Sequence, residues 1–239
     1  MKVLSPAVTI LLASHMKPYL DEAIESVTTQ TRKDFHCVVL DSGQWIGKCD
    51  SLSMKMSEIY NDWKYHPLIE WVTTGENSGL RKKKCPISWV TNEAIRAGLV
   101  RGRYLCTFYD DDLYQPTFIE KMAGYLDQNP FVSAVWCTED RSFVSTNAKT
   151  VSYGGIIAHG PKKPGMMDCQ VDGAQVMFRS ELLDKIGDPW MPEKVSDCFH
   201  SDGIFLEKVV TAAGTIQNIE ESLVTHRCTP LSTYNPSKG

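Results

Sequence analysis

The chain has 239 residues, 42% hydrophobic and 23% charged, with 25 basic against 29 acidic side chains and a formal net charge of -4. That length buries a core large enough for one domain, and ordinary glycine, proline and aromatic content excludes a disordered or collagen-like chain. The near balance of charge excludes a general nucleic-acid binder, which carries a basic excess or stripe.

The apolar opening up to Ala13 is interrupted by Ser5-Pro6 and Thr9, so Val8 to Ala13 is expected to be a buried first strand, not a signal peptide. Tyr19, Leu20, Ala23, Ile24 and Val27 then fall at helical spacing and predict a helix over Pro18 to Gln30. Phe35 to Leu40 reads as a second buried strand, ending at Asp41-Ser42-Gly43. A helix over Ser51 to Trp63, a short strand over Leu68 to Val72 and a helix over Pro86 to Val100, started by its proline, follow. Arg103 to Tyr109 is another strand; it stops at Asp110-Asp111-Asp112, and a helix runs from Gln115 or Pro116 to about Asp127. Single helices between strands imply right-handed crossovers, hence an α/β fold with a mostly parallel sheet and helices on both faces. Ligands bind outside the carboxyl ends of such strands, so Asp41 and the aspartate triplet are expected to face one crevice.

The second half is less regular. Phe131 to Cys137 and Arg141 to Ser145 read as two strands, Tyr153 to Asp168 as a loop able to close over a ligand, and Gln170 to Phe178 as a strand. Ser180 starts a short helix to Ile186, Gly187 to Phe199 is irregular, Ser201 to Ala213 is helical, and Thr215 to Arg227 holds two short strands. No window approaches the ~18 apolar residues of a membrane span, so no integral membrane segment and a cytoplasmic location are expected. The eight cysteines include no Cys-x-x-Cys pair, and several lie in apolar runs such as Phe35-His36-Cys37-Val38-Val39. They read as buried thiols in a reducing compartment.

Three adjacent carboxylates repel one another unless a cation intervenes, and Mg²⁺ or Mn²⁺ takes oxygen ligands and bridges to phosphates. The competing reading is a solvated acidic turn before a helix N-terminus. The place at the end of a buried strand favours metal.

The ordered series Val8-Thr9-Ile10-Leu11-Leu12-Ala13-Ser14-His15, Ser26-Val27-Thr28-Thr29-Gln30-Thr31, Phe35 to Gly43, Asn92-Glu93-Ala94-Ile95, Gly102-Arg103-Tyr104-Leu105 and Asp110-Asp111-Asp112-Leu113-Tyr114-Gln115-Pro116 resembles the family-2 glycosyltransferases of GT-A fold. It covers about residues 7 to 127; beyond that the resemblance is weaker, and is to the spore-coat polysaccharide glycosyltransferases of that family. It implies one GT-A domain over residues 1–239, with a Rossmann-like nucleotide-sugar part (about 1–127) and a mixed, acceptor-binding part (about 128–239). It also implies transfer of a sugar from a nucleoside-diphosphate donor to an acceptor hydroxyl, with inversion, using Mn²⁺ or Mg²⁺. Ala13, Ser14 and Asp41 take the nucleoside-holding positions, and Asp110 lies beside them at the donor. The last aspartate of the family's Asp-x-Asp motif falls on Asp111 or Asp112, with Asp111 favoured; Tyr109 then stands where the motif has its first aspartate. His226 takes a C-terminal position that ligates metal or contacts diphosphate; the family's nucleotide-supporting arginine before the third helix has no clean match, and Arg81 and Lys84 in the basic stretch nearby are expected to neutralise the diphosphate or contact the base.

The acceptor hydroxyl must lose a proton as the new bond forms, while a metal stabilises the departing diphosphate. These jobs need carboxylates in different places. Asp202, at the start of the Ser201–Ala213 helix, aligns with the family's general base; Asp172 aligns with a donor-sugar-side aspartate, and Asp197 is a second candidate for the base. The acceptor stays open among a saccharide, a lipid carrier, a small molecule and a modified nucleobase, and a homo-oligomer is compatible with the sequence. A nucleotidyltransferase shares the sheet and acidic site, but Ser14-His15-Met16-Lys17 is not its glycine-rich loop. A non-catalytic nucleotide-sugar-binding module would be expected to lack the triplet or the base.

Overall fold

A computed structural model describes residues 6–14, 19–41, 50–73, 85–144, 150–153, 161–165 and 171–228. Strands β1 (Val8–Ser14), β2 (Phe35–Asp41), β3 (Ile69–Thr73) and β4 (Tyr104–Tyr109) form a parallel set in the order β3-β2-β1-β4. Every residue of β1 and β4 is buried, the unbroken apolar pattern of parallel strands covered on both faces. Helices α1 (Leu20–Thr28), α2 (Ser51–Trp63) and α3 (Pro86–Arg96) fall in the connections between these strands, and α3 lies against β1 and β2. In register, Ser14 pairs with Asp41 and Ala13 with Tyr109, so the carboxyl ends of β1, β2 and β4 are level.

After Asp110 and Asp111 the chain reverses into β5 (Asp112–Tyr114) and enters α4 (Phe118–Gln128). The remaining strands are β6 (Ala134–Val144), β7 (Thr150–Tyr153), β8 (Val176–Arg179) and β9 (Gln217–Cys228), with helices α5 (Leu182–Ile186) and α6 (Ser201–Ala213) between the last two. The sheet continues β4-β8-β6-β9-β5, with β7 on β6; β8 runs antiparallel to β4 and β6, and β9 runs parallel to β6 and antiparallel to β5. The expected mostly parallel first half and mixed second half of the sheet are both present.

Several boundaries differ from the sequence expectation. The two strands expected at Phe131–Cys137 and Arg141–Ser145 are one strand, β6, because the polar step between them is paired: Arg141 Nε donates to Glu139 Oε1 at 2.8 Å. The two final strands are likewise one, β9, whose register against β6 shifts around Thr138 through bulges. The third helix stops at Arg96, not Val100, because Gly98 takes φ +71 and its N–H caps the Ile95 carbonyl. The fourth starts at Phe118, because the Gln115 N–H still donates to the Leu223 carbonyl of β9, prolonging the pairing of β5, a strand absent from the sequence reading. The strand expected from Gln170 begins only at Val176, since Asp172 caps a 3₁₀ turn over Gly173–Gln175.

Three residues of the family-like series are structural devices. A Cβ at Gly102 would stand 2.6 Å from the Thr9 nitrogen, so only glycine lets this turn cross the central strand. Buried Gln30 donates to the Ser26 and Gln115 carbonyls and accepts from the Ile119 N–H, tying α1 to the entry of α4. Asn92 exchanges two hydrogen bonds with the Met191 backbone, anchoring the segment that leads to α6. Cys37, Cys106 and Cys137 are buried thiols, as expected. Among the described residues, no helix is long and apolar enough to cross a membrane.

Candidate functional site

The turn after β4 places all three aspartates inside the protein: Asp110, Asp111 and Asp112 are 1%, 5% and 0% exposed. This rules out a solvated acidic turn. Stacked rings of Phe108, Tyr114 and Phe118, with centroids 3.9 and 3.7 Å apart, hold the strands on either side of the turn against α4. Ser14, at the end of β1, donates to Asp110 Oδ2 at 3.0 Å, and buried Asp41 lies opposite Ser14 in register. The expected nucleoside-side residues Ala13, Ser14, Asp41 and Asp110 thus lie together at the carboxyl ends of β1, β2 and β4.

On the other side of the turn, β5 pairs with β9 so that Asp112 faces His226, whose Nδ1 sits 2.7 Å from Asp112 Oδ1. Burial first, then the charges of Asp172 and Asp111, push the Asp112 carboxyl up to about 8 against the opposing pull of His226. The next residue, Arg227, is buried and donates through Nε to the Asp111 carbonyl at 2.9 Å, and its guanidinium also pairs with Glu22 and lies over the Tyr19 ring. The C-terminal strand thereby braces the aspartate turn from beneath.

Asp172 sits at the cap of the 3₁₀ turn, accepting from the Ala174 N–H at 2.9 Å, and its charge acts on Asp112, Glu139, Asp202 and Tyr109. Asp202 lies in the first turn of α6, where a helix N-terminus favours a carboxylate. Its Oδ1 accepts from the Tyr109 hydroxyl at 2.7 Å. Burial, then Asp172, pushes the Asp202 carboxyl up to about 7, close to the value suited to a general base at neutral pH. Asp197 hydrogen-bonds its neighbour Ser196 instead. Arg81 and Lys84, and most of the Tyr153–Asp168 loop, lie outside the described residues.

The structure therefore gathers Asp112, His226, Asp172 and Asp202 around the end of β4. It adds two residues that the sequence did not single out. Glu139, 3% exposed, is paired with Arg141 through Oε1 and is pushed up by burial and Asp172. Tyr109 was noted only as a substitute in the motif, and it proves to contact Asp202.

Among the described residues, no three His, Cys, Asp or Glu side chains converge closely enough to hold a metal ion, so the expected set Asp111, Asp112 and His226 is represented by the Asp112–His226 pair with Asp111 adjacent. The donor chemistry still fits a hard divalent cation: Asp112 Oδ2 is buried with no hydrogen-bond partner, and the carboxylates of Asp172 and Asp111 raise the affinity of Asp112 for a proton.

The description Glycosyl transferase family 2 matches residues 9–210. Protein CgeD of Bacillus subtilis (strain 168) is 25% identical over 203 residues, covering 83% of this chain and 45% of CgeD. An uncharacterized glycosyltransferase of Haemophilus influenzae is 24% identical over 131 residues, covering 54% of this chain and 36% of that one. The chain thus spans less than half of either curated relative. Among solved structures, S. aureus TarS 1-349 in complex with UDP-GlcNAc superposes with a TM-score of 0.68 at 14% identity, over 97% of this chain and 61% of that one. The mannosyltransferase PcManGT of Pyrobaculum calidifontis, in complex with GDP-Man and Mn²⁺, gives 0.59 at 18% identity over 97% and 59%. The architecture is that of the GT-A glycosyltransferases, and over most of its length the chain belongs to glycosyl transferase family 2.

Proposed function

We propose that this chain transfers a sugar from a nucleoside-diphosphate donor to an acceptor hydroxyl with inversion, and that Asp202 is the general base. The observation that carries this reading is the Asp202 carboxylate in the first turn of α6, bonded at 2.7 Å by the hydroxyl of Tyr109, the residue that leads into the buried aspartate turn, in a family-2 fold. Ser14 and Asp41, at the ends of β1 and β2, take the nucleoside, with Ser14 also orienting Asp110. Asp111, Asp112 and His226 would hold a Mn²⁺ or Mg²⁺ ion, which when bound neutralises the donor diphosphate. Asp202 takes the proton of the acceptor hydroxyl. The acceptor oxygen forms its bond to the anomeric carbon as the bond from that carbon to the diphosphate breaks, its electron pair leaving with the diphosphate. Asp172 accepts from a hydroxyl of the donor sugar, and its charge raises the affinity of Asp202 for a proton.

The complexes of PcManGT with GDP-Man and Mn²⁺ and of TarS with UDP-GlcNAc support this reading of the donor side. The test is calorimetric binding of UDP and GDP with and without Mn²⁺, on the wild type and on Asp111→Asn. Metal-dependent binding of one nucleotide, lost in the variant, is expected. Binding that ignores both metal and substitution would refute the metal assignment, and no response to either nucleotide would refute the donor class.

A further inference from the structure

Tyr109 is the last residue of β4, and its hydroxyl reaches from the central sheet to the first turn of α6, donating to Asp202 Oδ1 at 2.7 Å. The path of that hydroxyl is narrow. A Cβ at Gly173 would lie 2.7 Å from the Tyr109 hydroxyl, 3.2 Å from its ring and 3.1 Å from Thr107 Oγ1. Glycine is required here for space: its φ is not in the left-handed region, and Thr107 Oγ1 pins the segment by donating to the Gly173 carbonyl at 3.2 Å. The hydroxyl is thus walled in and aimed at one carboxylate oxygen.

The groups facing Asp202 are the Asp172 carboxylate, the Cys85 thiol, the Ser201 hydroxyl and Tyr109. The first two raise its affinity for a proton, while the hydroxyls of Tyr109 and, more weakly, Ser201 favour the charged form.

We propose that Tyr109 is a positioning residue for the base: it holds Oδ1 of Asp202, leaving Oδ2 to take the proton of the acceptor. This rests on the reading of Asp202 given under Proposed function. It also gives a physical role to the tyrosine standing where the family motif has an acid. A neutral donor at the end of β4 orients the base, whereas another carboxylate would add a negative charge beside Asp172.

The test is Tyr109→Phe, assayed by release of nucleoside diphosphate from UDP-GlcNAc or GDP-mannose, whichever the wild type turns over. A tenfold to hundredfold lower kcat is expected, on the order of one hydrogen bond to a charged group. The donor KM should be unchanged, and the acid limb of kcat should move to higher pH. In an Asp202→Asn background the same substitution should cost nothing further. Gly173→Ala, which drives a methyl into the hydroxyl, should reproduce the Tyr109→Phe kinetics without deleting the ring. A raised donor KM with kcat and acid limb unmoved would overturn the proposal, as would a loss that adds to that of Asp202→Asn. An inactive Asp202→Asn beside a fully active Tyr109→Phe overturns this proposal alone. A normally active Asp202→Asn overturns the base assignment itself.

Discussion

Replacing Asp202 by Asn should stabilise the ligand-free protein while disabling it, and the stabilisation should appear only above the acid range. The Asp202 carboxyl is pushed from 3.8 to about 7 by burial and by Asp172. Because the folded-state value is raised, the folded chain holds this proton more tightly than the unfolded chain does. The stability this contributes is fully present below pH 3.8 and is lost as pH rises through about 7. The whole gap corresponds to about 4 kcal/mol at 1.36 kcal/mol per pH unit. Partial solvent access of Asp202 screens the charge and brings the expected figure to about 2–3 kcal/mol. Asparagine keeps an oxygen for the Tyr109 hydroxyl but carries no charge, so the variant lacks this pH window. Urea unfolding near pH 4 and near pH 8 measures the difference. The two proteins should nearly coincide at the lower pH, and the variant should be the more stable at the higher. An equal gap at both pH values, or a less stable variant at pH 8, would refute the claim that folding penalises the ionised carboxylate. The accompanying loss of transfer should be about 10²- to 10⁴-fold.

Two further outcomes are expected. Transfer by the wild type should rise with pH through about 7 and then level off as Asp202 ionises, and a rate flat from pH 5.5 to 8.5 would remove that group from the rate law. Gly102→Ala should cost about 3 kcal/mol in denaturant unfolding, because its Cβ would lie 2.6 Å from the Thr9 nitrogen and 2.7 Å from the Val8 carbonyl carbon. These are backbone atoms of the central strand, which cannot rotate away.

Much of the first half was legible from local pattern. The helices at Ser51–Trp63 and Ser201–Ala213 have the bounds that spacing predicted, and β1, β2 and β4 lie within a residue of the apolar runs. Each carries a periodicity of its own, long enough to register. Strand β5 does not: its three residues include an acid, and it exists because β9 pairs with it. The break expected inside β6 had a similar origin. Thr138-Glu139-Asp140 looks like a polar interruption until Arg141 and the neighbouring strand supply partners.

The candidate site divides in the same way. The aspartate turn could be named from its place in an ordered series of motifs, and Asp172, Asp202 and His226 from the weaker resemblance beyond that series. Glu139 could not, since a single acid in a strand has no local signature.

The order of strands and helices up to β4, the acidic turn at its end and the family were determined by the sequence alone, because they depend on spacing along the chain. Which carboxylates share an environment was decided only by the tertiary structure. Tyr109 meets Asp202 across 93 positions, and Asp112 meets His226 across 114. Both meetings follow from sheet order and strand register, and the affinity of each acid for its proton follows from the burial and the neighbouring charges that those meetings create.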